Sequence, residues 1–459
     1  MSGTFAMETR NPDFPAHEKR YAVAIDLYEG GERMEDGSRL IRHAWEPERQ
    51  FAIRKERATY TNYAAPIVDV FGSAVCDKRP APVLPEALIR IQNVDCLGRD
   101  RESFFQEVVR VSAGHGARFV LVEGPKKNRS EPYFLQVDAL NLIDWQLGND
   151  GALDWAVVRE TVCPPREPFT PAREEKRYVA WKRTNWTRYD EKAAVIDSGD
   201  NPLGEVPIVP FLFEPTSSMT GLSVIDEVAA LLIRIFRRES ELDKQLFDAA
   251  VALLVGSGVD KPMMEEFVRS SWSALSIPAD ANMYYVETSG SSFDWLEKAI
   301  SRDVAAVREI SLRQVRPVSG VGESAEAKKL DNKQLDCQLA KFARQCKSAE
   351  EKCWHLAAKW MRFDAGAEDI STPYNESYDT DGLNSAVTDL LLRLRQDKEI
   401  SRETLLSHPD IRKALPDDFD LKEEEVRLVN EGREQVGPGG VGTAGLADLA
   451  RQALVRAER

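Results

Sequence analysis

The sequence predicts an α+β fold, on three observations. The N-terminal half carries short apolar runs separated by Gly, Pro and Asn-Asp-Gly turn signals, the pattern of strands in hairpins. Further on, apolar residues recur at spacings of three and four over long stretches, the pattern of helices. Those helical stretches are interrupted twice, by a small insertion with β-like runs and by a Gly-rich break. At 459 residues, 42% of them hydrophobic and 30% charged, the chain has apolar material for a sizeable core and for two or more domains.

Taken in chain order, the first forty residues are polar and carry few periodic signals. ERATYTNYAAPIVDVFGSAVC predicts a helix through Tyr60, Tyr63, Ala64, Ile67, Val70 and Phe71, with Pro66 as a kink or break. SFFQEVVRVSAGHGARFVLVEG predicts a helix, a turn at Gly114 and Gly116, and a strand. VDALNLIDWQLGNDGALDWAVVRETV predicts a hairpin turning at Asn149, Asp150 and Gly151, and KRYVAWKRTNWTRYD continues the strands. NPLGEVPIVPFLFEP, with four prolines, is expected to mark a domain boundary.

The helical half begins with an amphipathic helix over residues 222–247. Ile225, Val228, Leu232, Ile235, Glu239, Leu242 and Leu246 mark one face, and Arg234, Arg237, Arg238, Glu241 and Lys244 lie elsewhere on it. Residues 248–290 combine the β-like runs AVALLVG and ANMYYVE with a polar helical piece, DKPMMEEFVRSSW. A second helix is predicted over residues 291–314. After RPVSGVGES comes the longest helix, to about residue 363. Leu335, Leu339, Phe342, Cys346, Ala349, Cys353, Leu356 and Trp360 form a heptad-like seam along it. About forty residues at a rise of ~1.5 Å make roughly 60 Å of helix, which predicts cover from several layers or from other copies of the chain. From Ser385 the sequence is acidic and helical, and GPGGVGTAG from Gly437 reads as a flexible linker before a short terminal helix.

Composition excludes several function classes. A net charge of −15 argues against non-specific adhesion to nucleic acid, though not against a protein that DNA slides past. The longest apolar run, AVALLVG, is too short to span a bilayer, and the N-terminus lacks the basic-then-apolar order of a signal peptide, so a soluble chain that stays inside the cell, without a membrane partner, is expected. Six Cys without regular spacing predict reduced thiols. His17, His43, His115, His355 and His408 are scattered. On one helix Cys346 and Cys353 share a face while His355 points about 200° away from Cys353, so no metal site and no cofactor is expected.

GVGES has Glu323 where a phosphate loop needs Lys, and it lacks the Gly-x-Ser-x-Gly of a nucleophile elbow, so no catalytic residue is expected there. The plain reading is that Gly320 and Gly322 end one helix and permit a mobile loop, and that Glu323 or Ser324 starts the next helix. Basic and aromatic residues interleave in RYVAWKRTNWTRYD, which fits an amphipathic strand better than a stacking platform for single-stranded nucleic acid.

In the order of its elements the chain resembles portal proteins of tailed double-stranded DNA bacteriophages, and the resemblance covers most of its length. ATYTNYAAPIVDVFGSAVCDKRP looks like the family's early helix, NLIDWQLGNDGALDWAVVRE like its wing-domain hairpin, and GEVPIVPF like the strand leading out of it. The resemblance implies a portal-like α+β fold with an α/β wing, two-helix stem, small α/β clip, long tunnel helix and helical crown. Residues 1–221 would be the N-terminal region and wing, 222–247 the first stem helix, 248–290 the clip and 291–314 the second stem helix. Residues 315–323 would be the tunnel loop, 324–384 the tunnel helix and its return to the wing, 385–436 the crown, and 437–459 a linker and tail.

The family's activity then implies a structural, non-enzymatic protein. It would form a ring, dodecameric in virions, at one capsid vertex, made in the host cytoplasm, through which double-stranded DNA is packaged and ejected. Terminase large subunit, a head-tail adaptor, and major capsid and scaffold proteins are the implied partners. Arg316, Pro317, Val318, Ser319, Gly320, Val321, Gly322 and Glu323 would lie next to DNA in the bore, with the two glycines supplying backbone freedom. Arg316 either makes transient phosphate contacts or caps a helix C-terminus through the helix dipole. Met263, Met264, Phe267 and Trp272 would form the clip's partner-binding surface, since Met and aromatics suit successive partners. The competing expectation is a scaffold or adaptor whose long helix pairs in a coiled-coil dimer, without a DNA channel.

Overall fold

Helix α1 (Phe14–Glu29) lies in the stretch expected to be polar with few periodic signals, and it is a correction to that expectation. Its buried residues divide between two cores: Ala24, Leu27 and Tyr28 enter one, and Phe14, Tyr21 and Ile25 the other. A helix buried on two sides shows no single apolar stripe, which is why the spacing gave no signal. The computed structural model describes residues 7, 9–77, 79–125, 130–250, 253–258, 280, 282–286, 291–315, 325–363, 366, 369–376 and 378, and beyond them 393, 395 and 405.

Helix α2 (Glu48–Arg57) precedes α3 (Ala64–Cys76), the helix expected from the Asn-Tyr stretch. Tyr60 and Tyr63 lie before α3, where Asn62 Oδ1 accepts the backbone N–H groups of Ala64 and Ala65 at 3.0 and 2.9 Å. Pro66 therefore stands in the first turn, where a missing N–H costs no helical bond, and it makes no kink. The buried face is Ile67, Val68, Phe71 and Val75, and Val70 points out.

Helix α4 (Arg101–His115) is capped by Asp100, whose Oδ1 accepts from Ser103 N at 2.8 Å. Gly116 then turns the chain at φ +88, and a Cβ there would meet Ser223 N at 2.8 Å. Gly114, expected to share that turn, lies inside the helix instead. Strand β1 (Ala117–Glu123) follows and pairs antiparallel with β2 (Tyr133–Asp138). The expected hairpin is β3 (Leu142–Leu147) and β4 (Leu153–Val162), with Gly151 at φ +74 in its turn. It continues through β5 (Glu175–Lys182), β6 (Asn185–Asp190) and β7 (Val195–Asp200) as a five-stranded antiparallel meander.

The boundary expected over residues 201–215 is not there. Strand β8 (Ile208–Leu212) returns beside β1, with Leu121 opposite Ile208 and Ala117 opposite Leu212. Because β8 is the edge of a sheet ordered β2-β1-β8, Pro210 can sit in it without removing a ladder bond. Residues 1–378 form one compact unit and 379–459 a second, of which Arg393, Arg395 and Leu405 are described.

The three-stranded sheet lies between the two cores. Along β1, Val120 and Val122 face the helical core, while Ala117, Phe119 and Leu121 face the core shared with the meander. Burial on both faces explains why ARFVLVE reads as a nearly unbroken apolar run. Strands β9 (Glu214–Pro215) and β10 (Gly221–Leu222) then close a small turn before the helical half.

Candidate functional site

The helical half begins where α4 ends. Ser223 Oγ donates to Gly114 O at 2.6 Å, and Asp226 Oδ2 accepts from Ser223 N at 3.0 Å. This anchors the start of α5 (Ala229–Ala250), which follows a run of turns over the residues expected to begin the helix. Its first half is embedded: Leu232, Ile235 and Phe236 are buried, and the Phe236 ring meets Tyr60 edge-on at 5.7 Å. Its second half leaves the core, and Leu246 and Phe247 are exposed although Leu246 was expected on the apolar face.

Strands β11 (Leu253–Ser257) and β12 (Asn282–Val286) follow as an antiparallel pair, Leu253 opposite Val286 and Ser257 opposite Asn282. Helix α6 (Ser291–Val315) then runs back. Near its start Trp295 is 74% exposed, and further on Val307 is buried in the helical core. Both helices are thus rooted in the core at the end away from the strand pair.

Asp303 joins the two helices. It is 4% exposed, and Arg234 Nε and Nη2 donate to its two oxygens, both at 2.8 Å. Arg238 Nη1 donates to the same carboxylate and to Ala299 O at 3.3 Å. Four residues forward on α5 correspond to four back on α6, so the helices are antiparallel. Burial also raises the carboxyl of Glu239 above its ordinary value, one turn from Ile235.

Helix α7 (Ala325–Trp360) is the longest, at 36 residues. Leu339, Phe342, Cys346, Ala349, Cys353 and Leu356 of the expected seam are all buried, but the partner is this chain itself. Phe342 meets Phe213 at 5.0 Å, and Trp354, off the seam, packs between Phe134 and Phe105. Over the described residues the seam is a core stripe, not a surface awaiting another copy. Burial pushes the Cys346 and Cys353 thiols well above their ordinary value, which leaves them as core thiols. Glu350, fully buried between them, accepts from Arg79 at 2.6 Å and from the Tyr374 hydroxyl at 2.6 Å.

The residues singled out in the sequence fall outside this description. Arg316, Pro317, Val318, Ser319, Gly320, Val321, Gly322 and Glu323 join α6 to α7 but are not among the described residues. Met263, Met264, Phe267 and Trp272 fall between β11 and β12 and are likewise outside them. What sequence reasoning missed is the ionic pinning of the helices that flank both segments. Arg234 and Arg238, four apart beside the apolar face, were its signal, but their partner is legible only once the helices are paired. Among the described residues there is no group of three side chains suited to hold a metal ion, and no helix long and apolar enough to cross a membrane.

Residues 225–361 match the family model described as a domain of unknown function, DUF4055. That stretch holds α5, the β11–β12 pair, α6 and α7. Among solved structures, the chain is similar to one described as the neck of a native GTA particle computed with C12 symmetry. The identity is 15%, the match covers 82% of this chain and 97% of the other, and the TM-score is 0.40, too low to equate the two folds. No curated protein matches the sequence.

Proposed function

We propose that the chain is the portal subunit of a tailed double-stranded DNA phage or phage-like particle, a structural protein that assembles into a ring at one capsid vertex. DNA enters and leaves through the ring, and terminase and the head-tail adaptor dock on it in turn. The observation that carries this reading is the helical half. Two antiparallel helices are rooted in an α/β body and joined through a strand pair. They are followed by a Gly-containing segment and a long helix that returns to the body. That is the arrangement implied by the sequence resemblance: stem, clip, stem, tunnel loop and tunnel helix.

In this role α5 and α6 line the channel, the Asp303 clamp sets their spacing, and residues 316–323 reach the bore. The net charge of −15 serves passage, because a wall that gathered phosphates would hold the duplex. A ring of twelve, the virion location and the capsid and scaffold partners follow from the resemblance. The scaffold reading loses its main support, since the seam it needs for a coiled coil is occupied within the chain.

Particle assembly without this chain tests the role. Empty shells are expected in its absence and DNA-filled heads when the wild-type chain is supplied during assembly. Heads that fill equally well without it would contradict the proposal.

A further inference from the structure

The five-stranded meander ends in a tip whose aromatic residue no described residue covers. Phe169, in the loop between β4 and β5, is fully exposed and sits at φ +67. The loop is shaped for the purpose: Thr170 N donates to Glu167 O at 3.2 Å, Arg166 donates to Thr170 O, and prolines stand at 164, 165, 168 and 171. Fixed φ angles lower the cost of ordering the tip against a partner. The turn between β6 and β7 lies at the same end of the sheet and adds the exposed Val195 and Ile196.

Elsewhere on the chain α2 and the outer half of α5 flank a shallow recess of about 100 Å³. Ile53 and Phe247 line it as exposed apolar side chains. The Arg57 guanidinium lies over the Phe247 ring at 3.8 Å and meets no carboxylate among the described residues. Ser240, buried in the same lining, has a hydroxyl without a partner among them. An exposed aromatic beside an acid therefore stands on one surface, and on another a recess in which Ile53, Phe247 and the Arg57 guanidinium stand among the polar side chains of Gln50, Ser240, Asp243 and Lys244.

We propose that the tip of one copy seats in this recess of a neighbouring copy, with Phe169 against Ile53 and Phe247 and the Glu167 carboxylate on Arg57. Tip and recess are different surfaces of one chain, so the contact is heterologous and propagates around a ring. This inference rests on the ring reading above and names the contact that would close it. Arginine and aromatic anchors in a desolvated recess are the kind of residues that dominate interfaces.

The test is assembly size of the full chain by light scattering over a concentration series. Phe169→Ala and Arg57→Glu are each expected to raise the concentration needed for assembly at least tenfold, with melting curves unchanged because both side chains are exposed. Glu167→Arg combined with Arg57→Glu restores the ion pair in reverse and is expected to recover most of the loss. Single variants that assemble like wild type, or a double variant no better than Arg57→Glu alone, overturn the contact while leaving the ring. A wild-type chain that never assembles overturns the ring itself.

Discussion

Asp303 shows how a single carboxylate can set the distance between two helices. It is almost wholly buried, yet its two arginines keep access to water, Arg234 about half exposed and Arg238 about a quarter. Asp303→Ala leaves both guanidinium groups facing a gap, and a lost charge-assisted bond of this kind costs about 1–3 kcal/mol. Urea unfolding should show that loss, with Asp303→Glu recovering part of it; a wild-type midpoint for the alanine variant would mean the clamp does not hold the helices. His115 gives a pH signature. Burial, reinforced by Arg118, Arg33 and Arg110, lowers its pKa from the ordinary 6.5 to about 3. Below pH 6.5 the unfolded chain takes up a proton that the folded chain refuses, so stability is complete above that pH and falls as pH drops toward 3. The slope approaches about 1.4 kcal/mol per pH unit. Unfolding midpoints at pH 7 and pH 5 should converge in His115→Gln relative to wild type, and an unchanged difference would refute the assignment.

At the level of elements, what could be read from the sequence depended on how many faces each one buries. Helix α6 and the β3–β4 hairpin have one buried side or a clear turn, and they appear where the pattern places them. Helix α1 contributes to two cores and was invisible. Strand β8 was mistaken for a boundary because its prolines resemble a linker, whereas an edge position tolerates them. The seam on α7 was correctly apolar, but spacing alone cannot say whether the covering surface belongs to the same chain. The two segments singled out in the sequence lie outside the described residues, and the Asp303 clamp between the helices that flank them was not legible, because it joins residues 65 and 69 positions apart. The segment between α6 and α7 carries its own prediction. Gly320→Ala with Gly322→Ala should leave assembly intact and impair DNA packaging or retention, while Ser319→Ala with Ser324→Ala should do far less, as measured by DNA content per particle. The reverse ranking would point to hydroxyl chemistry instead of backbone freedom.

For the whole molecule, the architecture separates two tasks. An α/β body with two cores supplies the stability, and the helix pair with its strand-paired end extends from that body; in the proposed role it is the part that faces DNA and partners. Over its described residues the α7 seam is already filled, so in the proposed ring contact between copies uses other surfaces, among them the exposed tip and recess. This shifts the expected basis of assembly from helix pairing to contacts between neighbouring bodies. Electron microscopy of the purified chain addresses the central claim most directly. The account predicts closed rings with an open central hole, wide enough for a DNA duplex and present without any other protein. A population of compact monomers or dimers across a broad range of concentration and salt would contradict it.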